Sequence, residues 1–248
     1  MRPYKVERRT EVPAGSESGK PIGKSLQDWA VPERVSHEPM DGRWCRLERI
    51  DPLAHAESLF ATSVGDSGVD LWRYLPYGPF ASLQDFQAWM STLCSTDDPL
   101  FFAVVDKAIG RAVGLASYLN IRPSEGVVEV GHITYSDLLQ NRTAGTEAMF
   151  LMMQRVFETG YRRYEWKCDL LNASSKVAAQ RLGFTFEGVF RQATVYRQRN
   201  RDTAWFSIID SEWPRLRHGF QSWLSPKNFD DRGNQIERLT EFLTPHHH

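Results

Sequence analysis

One stretch of the chain, from Glu129 to Gly188, constrains the fold more than any other. It alternates between strand patterns and helix patterns that are separated by short polar loops. Such alternation predicts a mixed α/β domain that contains a strand–helix–strand unit. Strands are predicted at 129–136, 164–170 and 184–189. A polar loop at 137–145 leads into an amphipathic helix at 144–159, and a short helix is predicted at 174–182.

The sequence on either side of this stretch adds further elements. Asp51 and Ser82 are typical N-caps of helices, and Pro52 suits a first helical position. The spacing of apolar residues and turn residues predicts a run of antiparallel strands that leads into the strand–helix–strand unit. The additional strands are predicted at 44–50, 100–105, 112–118, 193–198 and 204–210, and the additional helices at 52–60, 82–94 and 213–224.

The two ends of the chain are predicted to be peripheral. Residues 1–42 are polar and rich in proline and glycine, which is typical of an extended arm or a disordered tail. Residues 225–248 predict a polar tail, whose last three residues, His246 to His248, resemble part of a purification tag. The folded domain is therefore expected at 43–224.

Charge and cysteine content exclude several classes of function. The 248 residues include 30 Lys and Arg and 31 Asp and Glu, and a net charge of −1 argues against a nucleic-acid partner. No apolar run is long enough for a membrane span, and no secretory signal is recognisable. Three cysteines without metal-ligand spacing indicate a reducing, cytoplasmic location and no metal site.

The polar loop at 137–145 opens directly onto a predicted helix N-terminus. The first N–H groups of a helix lack intrahelical acceptors, so such a loop can bind a phosphate or pyrophosphate through its backbone. Gly145 would allow close approach of the ligand because it has no Cβ. An ordinary helix start capped by Thr143 or Asn141 is the alternative.

Four short motifs follow one another through the second half of the chain. The loop QNRTAG fits the pattern Q/R-x-x-G-x-G/A at Gln140 and Gly145, with Thr143 in place of the first glycine. The motifs N-x-x-S, L-G-F-x-x-E-G and E-W-P are matched by Asn172, Ser175, Leu182, Gly183, Phe184, Glu187, Gly188, Glu212, Trp213 and Pro214. In this order and spacing they resemble the GNAT family of acetyl-CoA-dependent N-acetyltransferases. The branch most similar includes the ribosomal-protein N-terminal acetyltransferases.

This resemblance implies a fold and a co-substrate. The GNAT acyl-CoA N-acyltransferase fold has a central mixed, mostly antiparallel sheet with flanking helices. Two neighbouring parallel strands splay apart, and the pantetheine arm of acetyl-CoA lies between them. The cofactor-binding residues would be Ile133, Thr134, Tyr135, Gln140, Asn141, Arg142, Thr143, Ala144, Gly145, Thr146, Asn172 and Ser175, with no metal ion required.

The implied reaction transfers an acetyl group directly to a primary amine. The amine must lose a proton, and the departing thiolate benefits from receiving one. Glu129 is the favoured proton acceptor, with His132 and Asp169 as alternatives; regular strand alternation would place Glu129 and His132 on opposite faces. Ser175 matches the family serine and is the favoured proton donor, although a simple helix cap is an equal alternative. Tyr196 is a weaker candidate donor.

The acceptor side is less defined by the sequence. The resemblance would place His132, Asp169 and an aromatic segment, with Trp72, Tyr74, Tyr77 and Phe80, around the acceptor, although a lid packed on the core is also possible. The predicted hairpin at 191–202 carries Arg191, Arg197, Arg199 and Arg201, which fit an acidic peptide, a dimer partner or only a solvated face.

A protein N-terminus and a small amine both fit as acceptor, and the chain is expected to be a monomer or homodimer. A non-catalytic acetyl-CoA sensor and transfer of another acyl group are the alternatives.

Overall fold

The computed structural model describes residues 22–64 and 70–244. Half of the predicted arm, residues 1–21, and the histidines at 246–248 therefore lie outside the described residues. The described residues divide after Ala30 into two units, and the fold described below is that of the second, which begins at Val31. Its strands are Met40–Asp41 (β1), Cys45–Arg49 (β2), Leu100–Asp106 (β3), Arg111–Arg122 (β4), Val127–Tyr135 (β5), Arg163–Asp169 (β6), Thr185–Tyr196 (β7) and Arg199–Ile209 (β8). Its helices are Pro52–Ala61 (α1), Leu83–Leu93 (α2), Thr143–Glu158 (α3), Ala173–Arg181 (α4), Trp213–Trp223 (α5) and Leu239–Leu243 (α6).

The eight strands form one mixed sheet in the order β1-β2-β3-β4-β5-β6-β8-β7. β5 and β6 are parallel, with α3 as their crossover, and the other neighbouring strands are antiparallel. This topology confirms the predicted mixed, mostly antiparallel α/β sheet. None of the helices in the described ranges has the length and apolar character that crossing a bilayer requires.

Two apolar cores lie on the two faces of the sheet. The larger core contains residues of α3 and α5, including Met152, Phe150 and Phe220. The smaller core contains residues of α1 and α2 and the aromatic segment, including Trp72 and Phe86. The first face therefore carries the crossover helix that follows the 137–145 loop, whereas the second carries the aromatic segment.

Predicted caps fix the starts of three helices. Asp51 accepts a hydrogen bond from the Leu53 N–H at 2.8 Å, and Ser82 accepts one from the Asp85 N–H at 3.1 Å. Asn172 caps α4. The capping functions predicted for Asp51 and Ser82 are confirmed, and each satisfies a first-turn N–H that would otherwise lack an acceptor.

A buried carboxylate attaches α3 to the sheet. Glu147 accepts hydrogen bonds from the backbone N–H groups of Arg43, Trp44 and Cys45 at 2.7, 2.7 and 2.8 Å. Gly42 is required beside it, because an added Cβ would lie 2.4 Å from the Glu147 carboxyl carbon. The first turns of α3 are thereby held at a fixed position relative to the start of β2.

The structure extends the folded unit beyond the expected limits. Val35 and Met40 are buried, and Arg155 donates hydrogen bonds to backbone carbonyls of residues 36, 38 and 39. Within the predicted C-terminal tail, Leu239 and Leu243 of α6 are buried against the larger core.

The C-terminal half of the sheet differs from the prediction in one element. The strands predicted at 184–189 and 193–198 are a single strand, β7, which is interrupted by register shifts near Gly188 and between Phe190 and Thr194. Gln192 at the second shift has φ +52° and its N–H donates to the Asp202 carboxylate. The break that the sequence predicted between two strands is therefore a bulge within one strand.

Candidate active site

The two parallel strands β5 and β6 separate near the centre of the sheet. Their paired register ends at Val130 and Trp166, although β5 continues to Tyr135 and β6 to Asp169. Past that pair, no described strand pairs with the facing edges of the two strands. The predicted pair of splayed parallel strands is confirmed, and the space between them, called here the β5–β6 gap, is the candidate active site.

The 137–145 loop at the end of β5 is closed by its own contacts. Gln140 Nε2 donates a hydrogen bond to the Tyr135 carbonyl at 2.7 Å, and the Tyr135 hydroxyl donates to the Gly145 carbonyl at 3.3 Å. A Cβ at Gly145 would lie 2.8 Å from the Leu139 carbonyl oxygen. Gly145 is therefore required by the approach of the loop's own backbone, whereas the sequence suggested only the approach of a ligand.

The N-terminus of α3 is open. The N-cap residue Arg142 makes no side-chain cap, and in the described residues no acceptor is found for the N–H groups of Thr143, Ala144 and Gly145. Neither capping alternative, Thr143 nor Asn141, is realised. These donors and the positive end of the helix dipole together suit an anion such as a phosphate.

Arg181 adds a cation beside this helix end. Its guanidinium donates a hydrogen bond to Thr146 Oγ1 at 3.1 Å, and burial lowers its pKa. No carboxylate forms an ion pair with Arg181 in the part of the chain that the structure describes. Sequence analysis missed Arg181, because it follows the N-x-x-S motif by two helical turns and only the packing of α4 brings it to the loop.

Ser175 lies in the first turn of α4, beside β6. Its backbone N–H donates to Asn172 Oδ1 at 3.1 Å, and its hydroxyl oxygen accepts the Trp166 indole N–H at 2.9 Å. The helix cap is therefore Asn172, and the simple-cap alternative for Ser175 does not describe its side chain. Because Trp166 occupies an acceptor position, the Ser175 hydroxyl can still donate its own hydrogen.

Glu129 is buried in the paired part of β5, just before the strands separate. Its Oε2 accepts hydrogen bonds from Lys167 Nζ at 2.7 Å and Asn120 Nδ2 at 2.6 Å. Burial raises the pKa of this carboxyl, an effect that Lys167 opposes. Oε1 makes no hydrogen bond with the described residues, and it lies on the side of Gly131, where an added Cβ would approach it to 3.9 Å.

His132 lies in a β-bulge at the edge of the β5–β6 gap. Its φ is +51°, and its imidazole packs on Phe101 with ring centroids 5.1 Å apart. Phe101 pairs with Ser117, and Ser117 pairs with Gly131, which shares a face with Glu129. The prediction that Glu129 and His132 point to opposite faces is wrong, because a bulge interrupts strand alternation.

The His132 ring is stacked on the aromatic segment. Its Nδ1 is 2.7 Å from the Tyr77 hydroxyl, and the two rings are nearly parallel at 15°. Burial lowers the pKa of His132 to about 4, and the charge of Arg201 contributes in the same direction. His132 is therefore neutral at physiological pH and able to accept a proton or a hydrogen bond.

The aromatic segment separates into core residues and residues near the gap. Trp72 is only 1% exposed and packs against Tyr77 and Phe80, which fits the alternative of a lid packed on the core. Phe80 is half-buried in the same cluster. The Tyr74 hydroxyl instead donates to the Leu171 carbonyl at 3.2 Å, which links the segment to the end of β6.

Asp169 closes the far end of the β5–β6 gap. One carboxylate oxygen accepts the Leu171 N–H at 2.8 Å, and the other accepts the Tyr196 hydroxyl at 2.9 Å. These contacts fit a structural role for Asp169 and leave neither oxygen without a hydrogen bond. Tyr196 is therefore committed as a donor to Asp169.

The three cysteines are free thiols. Cys45 and Cys168 are buried, and burial raises the pKa of both thiols. A raised pKa disfavours the thiolate, which is the nucleophilic form. The described residues contain no group of three side chains suited to hold a metal ion.

Comparison with known proteins supports the same family. The profile of the acetyltransferase (GNAT) domain matches residues 46–185. A crystal structure of a GCN5-related N-acetyltransferase from Brucella melitensis is 45% identical, covers 88% of this chain and 99% of its own, and gives a TM-score of 0.85. No curated protein sequence matches significantly.

Two further structures extend the comparison. An acetyltransferase of the GNAT family from Chromobacterium violaceum is 37% identical over 79% of this chain and 98% of its own, with a TM-score of 0.73. The ribosomal L7/L12 α-N-protein acetyltransferase RimL shares the fold at 18% identity, over 72% of this chain and 94% of its own, with a TM-score of 0.59. With its splayed strands and open helix N-terminus, the chain belongs to the GNAT family of N-acetyltransferases.

Proposed function

We propose that the protein transfers the acetyl group of acetyl-CoA to a primary amine, either a protein N-terminus or a small-molecule amine, by direct attack of the amine. The observation that carries this proposal is the β5–β6 gap, which has anion-binding groups on one side and proton acceptors on the other. Family membership supports acyl transfer as the reaction class. The buried thiols of high pKa support direct attack over a covalent cysteine intermediate.

The residues on the loop side fit acetyl-CoA. Unpartnered N–H groups of Thr143, Ala144 and Gly145 and the guanidinium of Arg181 would hold the pyrophosphate. The free backbone edge at Ile133 to Tyr135 would hold the pantetheine arm. Gln140, Asn141, Arg142 and Thr146 complete the proposed cofactor-binding set, together with Asn172 and Ser175.

The chain offers one proton donor and two proton acceptors near the gap. When bound, acetyl-CoA supplies a thioester whose acyl carbon is open to attack by an amine. Ser175 donates a hydrogen bond to the leaving sulfur, because its oxygen accepts the Trp166 N–H and its own hydrogen can still be donated. Glu129 accepts the amine proton, directly or through water, because Oε1 is free and burial raises its pKa. His132 is the competing acceptor.

The test is a thiol-release assay with purified protein, acetyl-CoA and a panel of primary amines that includes peptides with free N-termini. We expect release of coenzyme A that requires an unblocked amine, together with an acetylated product detected by mass spectrometry. Matched peptides with a blocked N-terminus are the control. Binding of acetyl-CoA without release across the panel would indicate a sensor, and faster release from propionyl-CoA would indicate another acyl group.

A further inference from the structure

One arginine of the β7–β8 hairpin differs from the other three. Arg191, Arg197 and Arg199 are exposed, whereas Arg201 is half-buried. Arg201 pairs with Thr194 in the hairpin and lies two residues before Thr203 on the same strand face. Its Nε donates a hydrogen bond to Thr203 Oγ1 at 3.2 Å.

This face of β8 borders the acceptor side of the β5–β6 gap. Thr203 pairs with Asp169, whose carboxylate accepts the Tyr196 hydroxyl. The charge of Arg201 also reaches two groups at the gap, since it contributes to the lowered pKa of His132 and opposes the raised pKa of Tyr196. The register therefore places Arg201 on the face of β8 that borders the end of β6, near the hairpin tip.

The acidic groups on this face of the sheet already have other partners. Glu129 pairs with Lys167, and both oxygens of Asp169 accept hydrogen bonds from uncharged donors. Arg197, the other hairpin arginine near the aromatic segment, donates to the carbonyls of Tyr77 and Gly78. In the described ranges no carboxylate lies within ion-pair distance of Arg201.

An incompletely hydrated guanidinium without a counter-charge is costly, because burial removes water that the protein does not replace. A guanidinium binds a carboxylate through two parallel hydrogen bonds, and Arg201 has only one donor engaged with the protein in the described structure. Asp169 on β6 pairs with Thr203, two residues from Arg201. Because its negative charge repels anions, a singly charged anion suits this site better than a dianionic phosphate.

We propose that Arg201 binds a carboxylate of the acceptor, so that the preferred substrates are primary amines that also carry a carboxylate. This inference rests on the proposed acetyl transfer and adds the substrate class. The carboxylate would come either from a small amino acid or from an acidic side chain next to a peptide N-terminus. Arg201 acts as a specificity-determining residue and takes no part in proton transfer.

The test uses acceptor pairs that differ only in carboxylate against carboxamide. One arm pairs free amino acids with their amides, and the other pairs N-terminal peptides that carry Asp or Asn at the second position. We expect wild-type kcat/KM to be at least about 10-fold higher for the carboxylate member in one arm. Arg201→Gln should remove this preference, with a loss on the carboxylate member alone, and Arg201→Lys should retain part of it.

Arg199→Gln is the matched control, because it removes the same charge from an exposed position on the same strand. It should leave the carboxylate preference unchanged. Equal kcat/KM for both members of every acetylated pair would overturn the inference while leaving the proposed function intact. An equal loss on both members in Arg201→Gln would also overturn it. Absence of thiol release from every pair, with acetyl-CoA binding retained, would overturn the proposed acetyl transfer itself.

Discussion

The two sides of the β5–β6 gap are built in different ways. On the loop side, the groups proposed to bind phosphate come mainly from one continuous segment, from Tyr135 to Thr146, that is closed by contacts within itself. On the acceptor side, His132, Tyr77, Asp169 and Arg201 come from four separate parts of the chain and meet only in the folded sheet. A short segment can preserve its geometry independently, whereas the acceptor side depends on sheet register and on the hairpin.

This difference implies that local backbone changes should disable the loop side outright, whereas acceptor-side changes should alter rate or specificity by degrees. The loop has little freedom, because the atoms that contact Gly145 belong to the loop itself. The acceptor side includes half-buried groups with more than one neighbour, so one substitution leaves the others in place. Four predictions test this contrast.

The largest effect is expected from Gly145→Val. The new Cβ would lie 2.8 Å from the Leu139 carbonyl oxygen, so the loop must move and its N–H donors lose their common direction. We expect loss of the acetyl-CoA-induced rise in Tm and a stability loss of about 1–3 kcal/mol. Gly23→Val, where an added Cβ meets nothing within 4 Å, is the control. An unchanged ligand-induced shift would show that the loop does not bind the co-substrate.

The second effect is expected from Ser175→Ala. Loss of a positioned proton donor should lower kcat by about 10²–10⁴-fold, a larger effect than the accompanying loss of acetyl-CoA affinity. The Trp166 N–H loses its acceptor, which should also cost about 1 kcal/mol of stability. Ser174→Ala is the matched control, because Ser174 is exposed and bonds only to Asn172. A wild-type kcat in Ser175→Ala would show that this hydroxyl has a structural role and no role in catalysis.

The sequence predicted the loop side better than the acceptor side for the same physical reason. Local sequence patterns predict the strand β5, the loop and the start of α3. The splayed strands were predicted by the family resemblance. The burial of Trp72 could not be predicted, because an aromatic residue in a loop gives no local sign of its burial. The face of His132 was misplaced because nothing in the residues around it marks the bulge. Arg181 and Arg201 become recognisable only through tertiary contacts.

The third effect is expected from Glu129→Gln, which distinguishes the two proton acceptors. If Glu129 accepts the amine proton, the variant should lose on the order of 10–100-fold in kcat/KM near neutral pH. Activity should recover partly as pH rises and the free amine becomes available. The acid limb of the wild-type profile should lie above pH 4.5, because burial raises the Glu129 pKa from that value.

Glu125→Gln is the control for this variant, since Glu125 is exposed and pairs only with Arg122. A wild-type pH profile in Glu129→Gln, together with a loss of rate in His132→Gln, would transfer the role to His132. Lys167 keeps Glu165 as a partner in the variant, at 2.8 Å, so the fold should persist.

The smallest effect is expected from His132→Gln on the pH dependence of stability. Burial holds the pKa of His132 near 4 in the folded chain, against 6.5 for an ordinary histidine. Between these values the unfolded chain binds a proton that the folded chain does not, so His132 costs stability as pH falls from 6.5 towards 4. The half-buried ring is partly hydrated, which limits this cost to about 1–2 kcal/mol.

Urea unfolding at pH 7.5 and pH 4.5 measures this cost. The fall in unfolding free energy between the two pH values should be smaller in His132→Gln than in the wild type, because glutamine does not titrate. His218→Gln, on the exposed side of α5, should reproduce the wild-type fall. An identical fall in His132→Gln would mean that the ring is protonated in the folded state. In that case burial would not keep the ring neutral, and His132 could not serve as a proton acceptor below pH 6.5.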